Sequence, residues 1–101
     1  MYNTYYVYII SNNFGTVYYT GVTNDIERRV SEHKEGIIPG FTKKYNCHKL
    51  LYFEEYSDIN QAIEREKRVK KLSRVNKDRL IDRMNAERRD LYDEIHSLRS
   101  V

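Results

Sequence analysis

Tyr5-Tyr6-Val7-Tyr8-Ile9-Ile10 and Val17-Tyr18-Tyr19-Thr20-Gly21-Val22 lead straight into Thr23-Asn24-Asp25-Ile26-Glu27-Arg28-Arg29-Val30-Ser31-Glu32-His33. The first two runs are β-branched and aromatic, which suits strands. Ser11-Asn12-Asn13-Phe14-Gly15-Thr16 between them is turn chemistry, since Asn and Gly tolerate positive φ. The two runs therefore predict a hairpin. A turn centred on Asn13-Phe14 sets Tyr8 opposite Tyr19, and directly opposed residues have Cβ atoms about 5 Å apart.

The third run predicts a helix. Thr23 or Asn24 suits the N-cap, with Asp25 and Glu27 as acids in the first turn. The helix should end near Glu35, at Gly36. At about 100° per residue, Ile26, Val30, His33 and Arg29 share one stripe, while Arg28, Glu32 and Lys34 fall elsewhere on the cylinder. The adjacent arginines are thus unequal: Arg28 faces solvent and Arg29 faces the sheet. An inward guanidinium needs a carboxylate or an anion beside it.

Further along, residues 37–46 contain Pro39, Gly40, Lys43 and Lys44 and read as a loop. His48 to Tyr56 reads as a third strand, and Ser57 or Asp58 caps a second helix reaching about Leu72. A third helix follows Ser73, and a fourth spans Ala86 to Arg99. On the second helix Ile59, Ala62, Ile63 and Val69 form an apolar stripe with Glu66 in its middle. A carboxylate there needs a cation. It either bridges to Arg29 with no chemistry or holds a hard divalent ion, which magnesium does through one or two carboxylates.

Composition narrows the function. One hundred and one residues make one domain. The lone Cys47 excludes a disulfide framework and fits a reducing cytoplasm. No apolar run has a membrane helix's length, and no signal peptide is evident. The net charge of +3 is unevenly spread: residues 64–79 carry eight basic side chains against three acidic ones. That concentration suits a polyanion. Arg65, Lys67, Lys70, Lys71, Arg74 and Lys77, with Lys43 and Lys44 of the loop, are the candidate nucleic-acid contacts. There is no Ser-His-Asp arrangement and no Gly-rich phosphate loop. Two phenols, an arginine, a histidine and a glutamate instead suit phosphodiester hydrolysis: a cation for the pentacovalent charge, a proton acceptor, and a carboxylate for a metal.

In order and spacing the chain resembles the GIY-YIG nuclease domain in its small single-domain bacterial form. Tyr6-Val7-Tyr8 stands where the family has Gly-Ile-Tyr, and Tyr19-Thr20-Gly21 where it has Tyr-Ile-Gly. The family's arginine falls on Arg29 and its metal-binding glutamate on Glu66. The chain departs in having Tyr6 for the first glycine, Val22 and Thr23 where some members have lysine, and only Asn76 for a late asparagine.

The resemblance implies an α+β fold, a small and mainly antiparallel three-stranded sheet flanked by helices. It covers residues 5 to about 80, and the expected organisation is a nuclease-like domain over residues 1–83 with 84–101 as a helical extension packed on it. It implies cleavage of DNA, single-stranded or branched included, with one Mg²⁺ or Mn²⁺ at Glu66. Tyr8, Tyr19, Arg29 and His33 would be catalytic, with the working base open between the two tyrosines. The expected protein is cytoplasmic, a monomer or weak homodimer, and is targeted by a partner if at all. The alternatives are a non-catalytic nucleic-acid-binding module, or an interaction domain pairing through Leu91, Tyr92, Ile95 and Leu98.

Overall fold

The structure, a computed structural model, describes the backbone of residues 3–99 and side chains to residue 96. Three strands, β1 (Tyr5–Ser11), β2 (Tyr18–Thr23) and β3 (Lys49–Tyr56), form one antiparallel sheet in the order β2-β1-β3. The helices are α1 (Ile26–Glu35), α2 (Phe41–Lys44), α3 (Ile59–Lys71), α4 (Arg74–Asn85) and α5 (Tyr92–Arg99). No helix among the described residues is long and apolar enough to cross a membrane.

Helices cover both faces of the sheet, which is why β1 is apolar nearly throughout. Tyr6, Tyr8 and Ile10 pack with Ile26 and Val30 of α1 and with Leu91 and Ile95. Val7 and Ile9 point the other way, onto Ala62 and Val69 of α3 and Ile81 of α4. Alternate side chains of a strand leave on opposite faces, so one central strand serves two cores.

The hairpin register differs from the expected one by two residues. Tyr8 pairs with Gly21, and Tyr19 pairs with Ile10. The cause is Asn12, whose Oδ1 accepts from the backbone N–H of Thr16 at 2.9 Å and Val17 at 3.2 Å, and so ties residues 12–17 into a longer loop. Gly15 meets its φ of 68° there. An even shift keeps every side chain on its face, so Tyr8 and Tyr19 remain on the same side as diagonal neighbours.

Helix ends also moved. Asp25, rather than Thr23 or Asn24, caps α1 by accepting from Arg28 N–H, while Thr23 Oγ1 accepts from Asp25 N–H at 3.1 Å. Gly36 ends the helix in the left-handed region, as expected. The expected loop 37–46 contains α2, a single turn.

The last helix starts at Tyr92 instead of Ala86. Buried Asn85 gathers the intervening chain, donating to Leu51 C=O at 3.1 Å and Arg89 C=O at 2.7 Å while accepting from Arg89 N–H. Asp90 Oδ1 then accepts from the N–H groups of Leu50 and Tyr92, and Leu91 N–H donates to Leu50 C=O. This segment covers the β3 edge, where unpaired strand groups would otherwise face outward.

The division expected after residue 83 falls inside α4. Leu91 and Ile95, expected in one reading as a partner-binding face, lie in the chain's own core. Leu98 is beyond the described side chains.

Candidate active site

Tyr8 projects from the middle of β1, buried, with its ring lying over Gly21 of the neighbouring strand. A Cβ on Gly21 would stand 2.5 Å from Tyr8 Cζ and 2.9 Å from Cε1, well inside van der Waals contact. Glycine at this point is required by space, and the close approach seats the phenol.

The Tyr8 hydroxyl lies 3.1 Å from His33 Nε2, and the other ring nitrogen, Nδ1, lies 3.1 Å from Thr42 Oγ1. His33 comes from the last turn of α1 and Thr42 from α2, and both are buried. The ring of Tyr19 approaches His33 at 5.9 Å between centroids. The structure thus brings both tyrosines to one imidazole.

Arg29 sits one turn before His33, partly exposed, with its guanidinium 3.7 Å from Glu32. Arg28 is more exposed and also pairs with Glu32, at 3.2 Å. The inequality expected of the two arginines is present in milder form. Glu66 pairs with Lys70 at 3.1 Å, and its side chain is 14% exposed. Among the described ion pairs there is none between Arg29 and Glu66.

Glu66 lies at the edge of α3's buried face and not at its middle. Ala62 and Val69 are buried, whereas Ile59 and Ile63 of the expected stripe are exposed. Arg65 accounts for that rotation. Its Nε and Nη2 each donate to Glu54 at 2.9 Å, and the same carboxylate accepts from the hydroxyls of Tyr52 and Tyr56. A bidentate bond of this kind fixes direction as well as distance. It holds that side of α3 against β3, while Glu66, the next residue, pairs with Lys70 and lies within electrostatic reach of Tyr8.

The charges converge on Tyr8. Burial raises the pKa of its phenol above the ordinary value; Tyr19, Glu66 and Glu32 add to the rise and Arg29 opposes it. For His33, burial and then the Arg29 charge lower the pKa to about 4, against the pull of Glu32. The imidazole is therefore neutral at pH 7, with one ring nitrogen free to accept a hydrogen bond.

Of the candidate nucleic-acid contacts, Lys70 and Lys77 line a groove of about 360 Å³ with Tyr18, Tyr19, Thr20 and Phe41. Lys43 and Lys44 are exposed on α2, and Lys67 and Lys71 on α3. Arg74 is otherwise engaged: it stacks 3.5 Å over the Tyr18 ring and donates to the carbonyls of Gly15 and Thr16. Arg65 is held by Glu54.

Reading the sequence missed Glu32 and Thr42. Glu32 is on the outer part of the helical wheel but reaches back to two arginines. Thr42 carries no local signal, because its contact to His33 depends on how α2 folds over α1.

No cluster of three His, Cys, Asp or Glu that would hold a metal occurs among the described residues. A single carboxylate nevertheless has the oxygen donors a hard cation takes, and Mg²⁺ typically fills its remaining positions with water and phosphate oxygens. Glu66 fits that manner of binding.

A small α+β domain with a phenol, an imidazole and a guanidinium on one face of its sheet, and a carboxylate of α3 within electrostatic reach of the phenol, has the architecture of a nuclease-type domain. The model of the GIY-YIG catalytic domain matches residues 4–79, and the chain belongs to that family. It is 40% identical over 76 residues to a UPF0213 protein of Halobacterium salinarum, covering 75% of this chain and 97% of that one. It is 38% identical over 85 residues to a UPF0213 protein of Bacillus licheniformis, covering 84% and 87%. Among solved structures, the solution NMR structure of a UPF0213 protein from Bacillus halodurans superposes with a TM-score of 0.54 at 30% identity, covering 83% of this chain and 88% of that one.

Proposed function

We propose that the protein is a metal-dependent endonuclease that hydrolyses phosphodiester bonds in DNA, with Tyr8, Tyr19, Arg29 and His33 as catalytic residues and Glu66 as the metal ligand. One observation carries this reading. The Tyr8 hydroxyl is hydrogen-bonded to a neutral imidazole while lying within the fields of Tyr19, Arg29 and Glu66.

The raised pKa of Tyr8 argues against a standing phenolate. Proton transfer then needs an acceptor behind the phenol, and His33 supplies it once the negative charge of a bound phosphate beside the imidazole, facing Arg29, raises its basicity. In the tautomer whose Nδ1–H donates to Thr42 Oγ1, Nε2 is free to accept the Tyr8 proton. As Tyr8 takes a proton from the attacking water, it passes its own to His33. Tyr19 orients the phosphate from the adjoining strand. Arg29 stabilises the charge that builds on the non-bridging oxygens, a role suited to its planar set of donors. A divalent ion bound through Glu66 would supply Lewis-acid stabilisation at the leaving oxygen. Lys70 and Lys77 attract the backbone, which makes binding depend on salt.

The test is a substrate panel of single-stranded, duplex, branched and flapped DNA, with RNA alongside, incubated with Mg²⁺ or Mn²⁺ and with EDTA controls. Metal-dependent cleavage of at least one DNA is expected. No turnover on any of them contradicts the proposal and favours a module that only binds.

A further inference from the structure

We propose that Tyr19, Phe41 and Tyr45 form a stacking platform for one unpaired nucleobase of the substrate, next to the phosphate that is cut. This rests on the nuclease reading above and deepens it, by naming the substrate feature the site selects.

The platform is a continuous run of rings. Tyr19 and Phe41 are stacked, with centroids 6.1 Å apart and planes 29° apart, and Phe41 meets Tyr45 at 4.7 Å. Tyr19 also touches His33, so the run begins at the catalytic imidazole. Phe41 is 47% exposed and Tyr45 is 40% exposed, although both belong to a turn that is otherwise anchored. The anchor is Thr42, buried between them in sequence and bonded to His33. One side of α2 thus fixes its position relative to the catalytic histidine, and the other side offers aromatic faces to solvent.

The chemistry around the rings suits a nucleotide. Lys70 and Lys77 line the groove beside Tyr19 and Phe41, and no carboxylate is among its described lining residues. Lys44 Nζ lies 5.3 Å from the Tyr45 ring centre, and Lys43 adjoins it in sequence. Aromatic rings flanked by lysines hold single strands by stacking bases while the cations follow the backbone. In a duplex each base is covered on both faces by its neighbours, so only an unpaired or splayed base presents a free face. An apolar peptide would gain nothing from the lysines.

The chain has no tryptophan, so Phe41→Trp places a single tryptophan, selectively excited beside the tyrosines, in the platform. Binding is read without divalent ion, by fluorescence anisotropy, on three labelled probes: an oligothymidylate, the same length of abasic strand, and a paired duplex. Phe41→Ala should weaken oligothymidylate binding about tenfold and leave the abasic strand and the duplex unchanged. Phe41→Trp should retain affinity, with its emission quenched by oligothymidylate and not by the abasic strand. Phe14→Ala, an exposed ring outside this groove, should change nothing. The proposal is overturned if wild type does not prefer oligothymidylate over the abasic strand. It is equally overturned if Phe41→Ala weakens all probes alike or none. Failure of the nuclease reading would appear separately, as absence of cleavage with metal in a protein that still shows this binding pattern.

Discussion

The phenol of Tyr8 lies across the backbone of Gly21, so close that the smallest side chain at Gly21 would collide with the ring. This contact seats the Tyr8 hydroxyl against His33 and makes the glycine part of the site's geometry, though it carries no chemistry of its own.

Gly21→Ala should therefore disable the site. The ring cannot yield without leaving Nε2 of His33, and displacing a catalytic group by about 1 Å costs on the order of a hundredfold in rate. Cleavage assays with Mn²⁺, paired with thermal melts, separate this from global unfolding. Activity within about twofold of wild type would show that the close approach does not matter.

Acid should act through His33 in a defined window. Its pKa is depressed to about 4 in the folded chain against about 6.5 unfolded, so the unfolded chain binds more protons between those values. The stabilising contribution is complete above pH 6.5 and is lost as pH falls toward 4, on the order of 3 kcal/mol in all. His33→Gln should flatten this limb of a stability–pH curve measured by denaturant titration. A second acid limb, at lower pH, belongs to Glu54. Burial raises its pKa, but hydrogen bonds from Arg65, Tyr52 and Tyr56 outweigh that and hold it below the ordinary carboxylate value. That limb should remain in His33→Gln. An unchanged profile would show that the imidazole is not held neutral by the fold.

The Glu54–Arg65 clamp should set the direction of Glu66. Arg65→Ala or Glu54→Ala should each cost about 2 kcal/mol of stability and raise the Mg²⁺ concentration needed for half-maximal cleavage. The double variant should be little worse than either single one, since both remove the same interaction. Strictly additive losses, with an unchanged metal requirement, would reduce the clamp to ordinary packing.

Much of this site was legible in the sequence, for physical reasons. Arg29 and His33 share a stripe with Ile26 and Val30 because helix periodicity is local, so a wheel separates Arg29 from Arg28. Tyr8 and Tyr19 were assigned to one face correctly despite a register wrong by two, since an even slip preserves sides. What failed depended on side chains acting at a distance. Asn12 lengthened the hairpin loop, Asn85 and Asp90 delayed the last helix, and Arg65 turned α3 so that Ile59 and Ile63 face outward. None of these follows from spacing along one element. Thr42 and the α2 platform likewise exist only once α2 is folded over α1.

The most direct test of the nuclease reading compares wild type, Glu66→Ala and Arg29→Ala in cleavage and in binding of the same DNA, with Mg²⁺ or Mn²⁺ and with EDTA. The account expects metal-dependent cleavage by wild type, abolished in both variants, with DNA binding retained. Cleavage undiminished in both variants would contradict it.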